Sequence, residues 1–153
     1  MANVGALVAR CARAYARRVA VRSVSYAELE QRSNRLANAL LGLGLQRGDR
    51  VGIYLPNCVE IELACYKAGL VKAPFNARLS PAEVGEIAAN SQARVIVTTA
   101  RRAEAFRPHL EGPLPRLLLL DGSGGEGYED VLARASDAFT PVAVIADELA
   151  VLH

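Results

Sequence analysis

The sequence predicts an α/β fold, in which helices flank an open, mainly parallel β-sheet. Short runs rich in Val, Ile and Leu alternate along the chain with longer segments of helical periodicity, which is typical of βαβ units joined by right-handed crossovers. Capping boxes mark two helix starts, one formed by Ser25 with Glu28 and the other by Ser80 with Glu83. The length of 153 residues is that of one domain.

The predicted elements follow one another without an internal repeat. Strands are expected at 19–21, around 24, and at 51–55, 70–75, 94–98 and 116–120. Helices are expected at about 3–17, from 26 to 42, at 58–68, at 81–90, near 101–110 and from 128 onwards. Only Arg22 and Ser23 separate the first two strands. Since two-residue hairpin loops prefer glycine-containing pairs, the sequence argues against a regular hairpin there.

The N-terminal segment is rich in arginine and has no acidic residue before Glu28. One interpretation is a mitochondrial transit peptide, which is amphipathic, Arg-rich and poor in acids. The interpretation we favour is a surface helix that buries apolar residues at helical spacing. Those residues are Val4, Leu7, Val8 and Cys11.

Composition restricts the class of protein. The net charge of +2 is too small to indicate a nucleic-acid partner, and no apolar run reaches the roughly 20 residues that span a bilayer. The three cysteines have no paired spacing, so we expect reduced core thiols. Hydrophobic residues make up 52% of the chain, which predicts apolar surface in need of a cover. We therefore expect self-association, as a dimer or larger, or packing against the remainder of a longer protein.

Several short blocks lie in a fixed order within residues 24 to 99. They are Val24-Ser25-Tyr26-Ala27-Glu28-Leu29, Arg47-Gly48-Asp49-Arg50-Val51, Leu55-Pro56-Asn57, Lys67-Ala68-Gly69 and Pro74-Phe75-Asn76-Ala77-Arg78-Leu79-Ser80-Pro81. The set resembles the opening of the AMP-forming acyl-CoA synthetases, ligases that join a carboxylate to the adenylate of ATP and then to a thiol. The resemblance implies the Rossmann-like N-terminal subdomain of the adenylate-forming fold.

The resemblance also implies that residues 1–153 form a single but incomplete domain, the N-terminal fragment of such a ligase. In that family a Ser/Thr/Gly-rich phosphate loop comes directly after the position of His153, and the adenine, ribose and Mg²⁺ motifs come later. The parent enzyme would use ATP, Mg²⁺ and CoA in a bacterial cytoplasm. For the chain alone we expect no cofactor, no metal, no catalytic residue and no activity.

Arg78 is the candidate ligand-binding residue. The step Asn76-Ala77-Arg78 follows a predicted buried strand and precedes the capped helix start at Ser80. Ligands of open parallel sheets bind at this edge, and a guanidinium there suits a phosphate. The resemblance implies that Arg78 contacts a phosphate of CoA, as the arginine of this step does in some acyl- and aryl-CoA ligases. The alternative is an arginine that fixes its loop by bonding local carbonyls.

The glycine-rich loop 122–127 contains a Gly-x-Gly-x-x-Gly pattern between a predicted strand and a predicted helix. Dinucleotide-binding folds use this pattern to bring a pyrophosphate close to the backbone. Here the loop follows a late strand, and Glu126, Glu129 and Asp130 would repel a phosphate. We expect a variable surface loop. Phosphate binding there would instead make the chain a free-standing Rossmann-like nucleotide-binding domain.

The other candidate groups are interpreted as scaffold. Lys67 is expected to be a surface or helix-terminus cation. His109 and His153 have no nucleophile or carboxylate at a recognisable spacing, so no catalytic triad is predicted. A further alternative to a ligase fragment is a non-enzymatic interaction module derived from a ligase.

Overall fold

The computed structural model describes residues 3–56, 58–122, 127–145 and 148–152. In this part of the chain the strands are β1 Val19–Val21, β2 Val24–Ser25, β3 Arg50–Ile53, β4 Val71–Pro74, β5 Ala93–Thr98 and β6 Arg116–Leu119. The helices are α1 Ala6–Tyr15, α2 Tyr26–Gly42, α3 Val59–Ala68, α4 Pro81–Ser91, α5 Ala100–Phe106 and α6 Tyr128–Ala133. The helix predicted near 101–110 is shorter than expected, because α5 ends at Phe106 and a 3-10 turn containing Pro108 follows.

The central sheet is parallel, and its strand order is β4-β3-β5-β6. This confirms the predicted α/β fold with an open parallel sheet. The chain passes from β3 outwards to β4 and then returns to β5 on the other side of β3. The carboxyl ends of β3 and β5 therefore border a topological switch point, where open α/β sheets bind ligands.

Helices cover both faces of the sheet. On one face α2, α3 and α6 bury a cluster that includes Leu36 and Val95. On the other face α4 and α5 bury a cluster that includes Val84, Ile96 and Phe106. Neighbouring residues of β5 thus point into different clusters, as the alternation of side chains along a strand requires.

The strands β1 and β2 do form an antiparallel pair, but it is short and irregular. Val19 pairs with Ser25 and Val21 with Val24, with a shift of register between the two pairs. Arg22 has a φ of 54°, which is uncommon for a residue other than glycine, asparagine or aspartate. The turn forms in spite of its residues, which is why the sequence argued against it.

The prediction that the N-terminal helix buries its apolar residues is wrong. Val4 is 57% exposed and Leu7 is 50% exposed, while Val8 and Cys11 are only partly buried. The reason is that α1 packs on α2, outside both clusters of the sheet, and contains no buried residue. Helical spacing identifies residues on one side of a helix but not what covers that side. No helix of the described ranges is long and apolar enough to cross a membrane.

Candidate functional site

A crevice of about 470 Å³ opens at the carboxyl edge of the sheet, beside the switch point. Its walls come from the residue after β3, the first residue of α4, the residue after β5, and α5. They are Tyr54, Pro81, Thr99, Arg101, Arg102, Ala105 and Phe106. A larger cavity of about 700 Å³ lies beside the amino ends of β5 and β6, near Ala93 and Arg116, which is not the edge where parallel sheets bind ligands.

Tyr54 joins the two sides of the crevice. Its hydroxyl donates a hydrogen bond of 3.1 Å to the carbonyl of Leu79, in the loop between β4 and α4. Its ring contacts Phe106 of α5 edge to face, with 5.9 Å between the ring centroids. The buried tyrosine therefore fixes the distance between the Arg78 loop and α5.

Arg102 is held in place by Tyr54. Its Nη1 donates a hydrogen bond of 3.0 Å to the carbonyl of Tyr54, and its guanidinium carbon lies 4.6 Å from the centroid of the tyrosine ring. Thr98 donates to the same carbonyl at 3.2 Å. A guanidinium fixed by stacking and a hydrogen bond loses less conformational entropy when it binds an anion.

Arg78 lies on the loop that borders this crevice, one residue before Leu79. The Asn76 side chain accepts a hydrogen bond of 3.0 Å from the Arg78 amide, and this bond shapes the loop. Within the described residues the Arg78 guanidinium makes no hydrogen bond or ion pair, and it is exposed. The geometry thus leaves Arg78 available, and its contact with CoA stays a prediction.

The crevice is positively charged. Arg101 is exposed on its wall, Arg102 is half-buried, and none of the wall residues is acidic. Two nearby carboxylates are engaged in helix caps. Asp121 accepts the amide of Ala100 at 2.7 Å, and Glu83 accepts the amide and hydroxyl of Ser80 at 2.7 Å each. The bonds from Ser80 lower the pKa of Glu83, so this cap is anionic at neutral pH.

Lys67 corrects the prediction of a surface cation. It lies in the last turn of α3, as expected, but its side chain is 0% exposed. Its ammonium donates to Glu30 Oε2 at 2.7 Å, to Ser33 Oγ at 2.8 Å and to Asn34 Oδ1 at 2.7 Å. Burial lowers the pKa of Lys67, and the Glu30 carboxylate opposes that shift. This end of α3 leads into β4, so Lys67 lies at the edge of the sheet away from the crevice.

Cys58 and Cys65 are structural rather than reactive thiols. Cys58 precedes α3 and Cys65 is buried within it, and burial raises the pKa of each thiol to about 12. A thiol with such a pKa is neutral near pH 7 and a poor nucleophile. In the described ranges no group of His, Cys, Asp and Glu residues could hold a metal ion.

Residues 123–126 of the glycine-rich loop lie outside the described residues, so the prediction of a surface loop is not tested there. The residue that follows them pairs with the central sheet. Gly127 forms a parallel bridge with Leu119 at the end of β6, and α6 begins at the next residue.

The sequence indicated Arg78, on the loop beside the crevice, but not the residues of the crevice wall. Arg78 was a candidate because it follows a strand at the carboxyl edge of a parallel sheet, and its role stays a prediction. The same rule applies to Thr99-Ala100-Arg101-Arg102, directly after β5, and would have found both arginines there. Tyr54 has no sequence signal of its own, since its role depends on Leu79 and Arg102, which are distant along the chain.

The fold is that of an α/β domain with a basic crevice at the carboxyl edge of its sheet. The chain belongs to the AMP-binding enzyme family, whose model matches residues 8–153.

The curated proteins that the chain resembles include CoA ligases. The chain is 38% identical over 106 residues to a crotonobetaine/carnitine–CoA ligase of Salmonella paratyphi A, an alignment that covers 65% of this chain and 20% of that protein. It is 41% identical over 90 residues to the ligase of the same name from Citrobacter koseri, covering 57% and 17%. The aligned part thus spans about a fifth of the length of these relatives.

Solved structures agree over nearly the whole chain. A benzoate CoA ligase from Burkholderia xenovorans LB400 matches with a TM-score of 0.86 and 25% identity, covering 99% of this chain and 32% of that one. A fatty acyl CoA synthetase of Mycobacterium tuberculosis matches with a TM-score of 0.80 and 27% identity, covering 97% and 32%. The predicted family and the Rossmann-like architecture are therefore confirmed.

Proposed function

We propose that the chain is the N-terminal part of an AMP-forming carboxylic acid–CoA ligase, and that its crevice receives a phosphate group of CoA. The observation that carries this proposal is the pair of arginines on the crevice wall, Arg101 and Arg102, beside the loop that carries the exposed Arg78; none of the wall residues is acidic. Membership of the AMP-binding enzyme family and the CoA ligases among its relatives support it.

The charge and exposure of these arginines suit the binding of phosphate groups. CoA carries a pyrophosphate and a 3′-phosphate, and guanidinium groups bind phosphate oxygens with two parallel hydrogen bonds. Arg102 is fixed on the Tyr54 ring, whereas Arg78 and Arg101 are exposed and can close on a ligand. The fixed guanidinium of Arg102 would orient a phosphate, and the exposed guanidinium groups of Arg78 and Arg101 would leave the crevice open to an incoming ligand.

The test uses a longer ligase that carries this sequence as its N-terminal part. We expect Arg78→Gln and Arg101→Gln each to raise the KM for CoA about tenfold, the equivalent of about 1.4 kcal/mol, because a charged hydrogen bond to phosphate is lost. The adenylation half-reaction, measured by pyrophosphate exchange, should not change. Comparing CoA with 3′-dephospho-CoA identifies which phosphate is bound.

The matched control is Arg134→Gln, which removes an exposed arginine that follows α6 and does not line the crevice. It should leave the KM for CoA unchanged. Equal losses of adenylation and thioester formation in the Arg78 variant would contradict the proposal, because they would indicate a general structural defect.

We also propose that ATP and Mg²⁺ bind to later parts of a longer ligase and that the 153-residue chain does not form an acyl-adenylate. The described residues offer no carboxylate cluster for Mg²⁺, and the wall residues include no acid or base suited to the chemistry. Purified chain should show no ATP–pyrophosphate exchange. Exchange above that of a mock purification would refute this part.

The proposed partners are the remainder of such a ligase or a second copy of the chain, in the cytoplasm of a bacterium. Ile145 and Leu149 are exposed beside a cavity of about 360 Å³ at the β4 edge, and they are the apolar surface that either partner would cover. Gel filtration of the 153-residue chain tests self-association. A monodisperse monomer would exclude the dimer.

A further inference from the structure

The segment from α1 to β2 presents a basic surface and contains no acidic residue of its own. Its five arginines are all exposed, and we call them the arginine patch: Arg10, Arg13, Arg17, Arg18 and Arg22. No acidic residue precedes Glu28 in the sequence, and Glu28 is engaged in the capping box with Ser25. The net charge of the whole chain is only +2, so this positive charge is concentrated locally.

The patch differs from arginines elsewhere on the molecule. Arg32, Arg35, Arg47 and Arg94 each form an ion pair with a carboxylate. Within the described ranges no ion pair involves an arginine of the patch; Arg18 instead lies 5.2 Å from the centroid of the Tyr15 ring. Unpaired exposed guanidinium groups keep their attraction for an anionic partner.

Apolar side chains are exposed among these arginines. Leu7 precedes Arg10 by three residues, so the two are neighbours on the helix surface. Tyr15 is 51% exposed and Val19 is 61% exposed, and every residue from 13 to 19 is exposed. Exposed apolar and cationic groups thus share one continuous stretch of chain.

We propose that the arginine patch, with Leu7, Tyr15 and Val19, docks the protein on an anionic lipid bilayer. Amphipathic helices with basic and apolar side chains lie at the headgroup boundary, where the cations attract anionic lipids and the apolar groups insert. A nucleic acid would attract the same arginines but would leave the aliphatic side chains unused. The combination therefore favours a lipid surface. This inference does not depend on CoA binding in the crevice.

Sedimentation of the 153-residue chain with vesicles tests the docking. The chain should bind vesicles of phosphatidylcholine mixed with phosphatidylglycerol, and should not bind phosphatidylcholine alone. Binding should weaken in high salt, because the Debye length falls from about 10 Å at 0.1 M to about 3 Å at 1 M ionic strength. No binding to the anionic vesicles would overturn the proposal.

Charge-matched variants separate the patch from net charge. Arg13→Gln with Arg17→Gln should weaken binding about 25-fold, at about fivefold for each arginine at a lipid surface. Arg94→Gln with Arg134→Gln removes the same charge from exposed positions outside both the patch and the crevice and should have little effect on vesicle binding. Equal losses of vesicle binding in the two double variants would contradict a specific role of the arginine patch. Far-UV circular dichroism confirms that each variant is folded.

A variant of the apolar groups distinguishes lipid from nucleic acid. Leu7→Ser with Tyr15→Ser should reduce binding to anionic vesicles several-fold, because the inserted groups are lost. A DNA duplex at the same ionic strength provides the comparison. If the chain binds the duplex as tightly as the vesicles, and the apolar variant binds vesicles normally, then the partner is a nucleic acid and the proposal is wrong.

Discussion

Two basic residues at opposite edges of the sheet have opposite surroundings. Lys67, at the end of α3, is buried and donates hydrogen bonds to Glu30, Ser33 and Asn34. Arg78, in the loop after β4, is exposed, and its guanidinium has no partner within the described residues. Both belong to the blocks that identify the family, so membership of a block does not distinguish a structural charge from a ligand-binding one.

The difference follows from the cost of burying charge. An ammonium group removed from water destabilises the fold unless a counter-ion and further acceptors replace its hydration. Glu30 supplies the counter-ion, and the Ser33 and Asn34 oxygens supply acceptors. A guanidinium in solvent pays no such cost and can exchange water for a phosphate. A charged side chain whose counter-ion and hydrogen-bond acceptors are all supplied by the fold is therefore expected to have a structural role.

Removing the buried ammonium should have the largest effect on stability. Lys67→Met leaves the Glu30 carboxylate and the Asn34 carbonyl without their buried partner. We expect the free energy of unfolding to fall by about 3–5 kcal/mol, as for other buried pairs broken on one side. Urea unfolding followed by circular dichroism measures this.

The chain supplies a matched control, because Lys72 is its other lysine and also pairs with a glutamate, Glu62 at 3.0 Å. The side chains of Lys72 and Glu62 are 14% and 42% exposed, against 0% and 17% for Lys67 and Glu30, so solvent screens the Lys72 pair more and Lys72→Met should cost less, about 1 kcal/mol. The double variant Lys67→Met with Glu30→Leu should recover part of the loss, because both charges are then absent. A Lys67 variant as stable as the Lys72 variant would contradict the comparison.

The features that could be predicted from the sequence are those that depend on residues close together along the chain. Capping boxes at Ser25 and Ser80, the alternation of helices and strands along the chain, and the position of Arg78 after a strand all rest on local patterns. The burial of Lys67 depends on Glu30 and Asn34, more than thirty residues earlier on another helix. No spacing rule joins these positions, so the local pattern indicated only a helix-terminus cation.

The same limit explains the errors at α1 and at the crevice. The side of α1 that carries Leu7 was identified, but whether another element covers it is a property of packing. The position of Arg102 shortly after β5 is a local signal of the same kind as that of Arg78 after β4. Its contact with Tyr54, by contrast, could not be predicted, since 48 residues separate the two.

Removal of a half-buried charge should reduce the free energy of unfolding by an amount between those expected for Lys67 and for Arg78. Arg32 of α2 donates to Glu60 at 2.7 and 3.1 Å and to Glu129 at 2.6 and 3.1 Å, and so joins α2, α3 and α6. Since Arg32 is 34% exposed, solvent screens part of this interaction. We expect Arg32→Gln to reduce the free energy of unfolding by about 1–2 kcal/mol.

Arg94→Gln is the control for Arg32, because among the described residues Arg94 pairs with one carboxylate, that of Asp49, and is more exposed. It should cost less than Arg32→Gln in the same urea titration. The reverse order would indicate that solvent exposure does not govern the contribution of these ion pairs, and would remove the basis of the comparison.

The N-cap of α4 at Ser80, close to Arg78, should contribute still less to the free energy of unfolding. Ser80→Ala removes the hydroxyl that accepts the Glu83 amide, and loss of an N-cap costs about 1 kcal/mol. Hydrogen bonds from Ser80 lower the pKa of Glu83 below 4.5 in the folded state. The contribution of the cap is therefore full above pH 4.5 and is lost as the pH falls through that lower value.

Urea midpoints of the wild type and the Ser80→Ala variant, measured from neutral pH down to about pH 3, test the sign of this dependence. The gap between them should narrow on acidification. A gap that widens would show that the Glu83 carboxylate does not take part in the cap in its charged form.

Arg78→Gln should have the smallest effect on stability. The guanidinium makes no hydrogen bond or ion pair in the described ranges, and the loop is shaped instead by the Asn76 side chain. We expect the free energy of unfolding to change by less than about 0.5 kcal/mol, as for other surface substitutions. A loss above about 1 kcal/mol would instead show that Arg78 fixes its loop. A negligible loss of stability, together with a raised KM for CoA in a longer ligase, would separate binding from scaffold at this edge of the sheet.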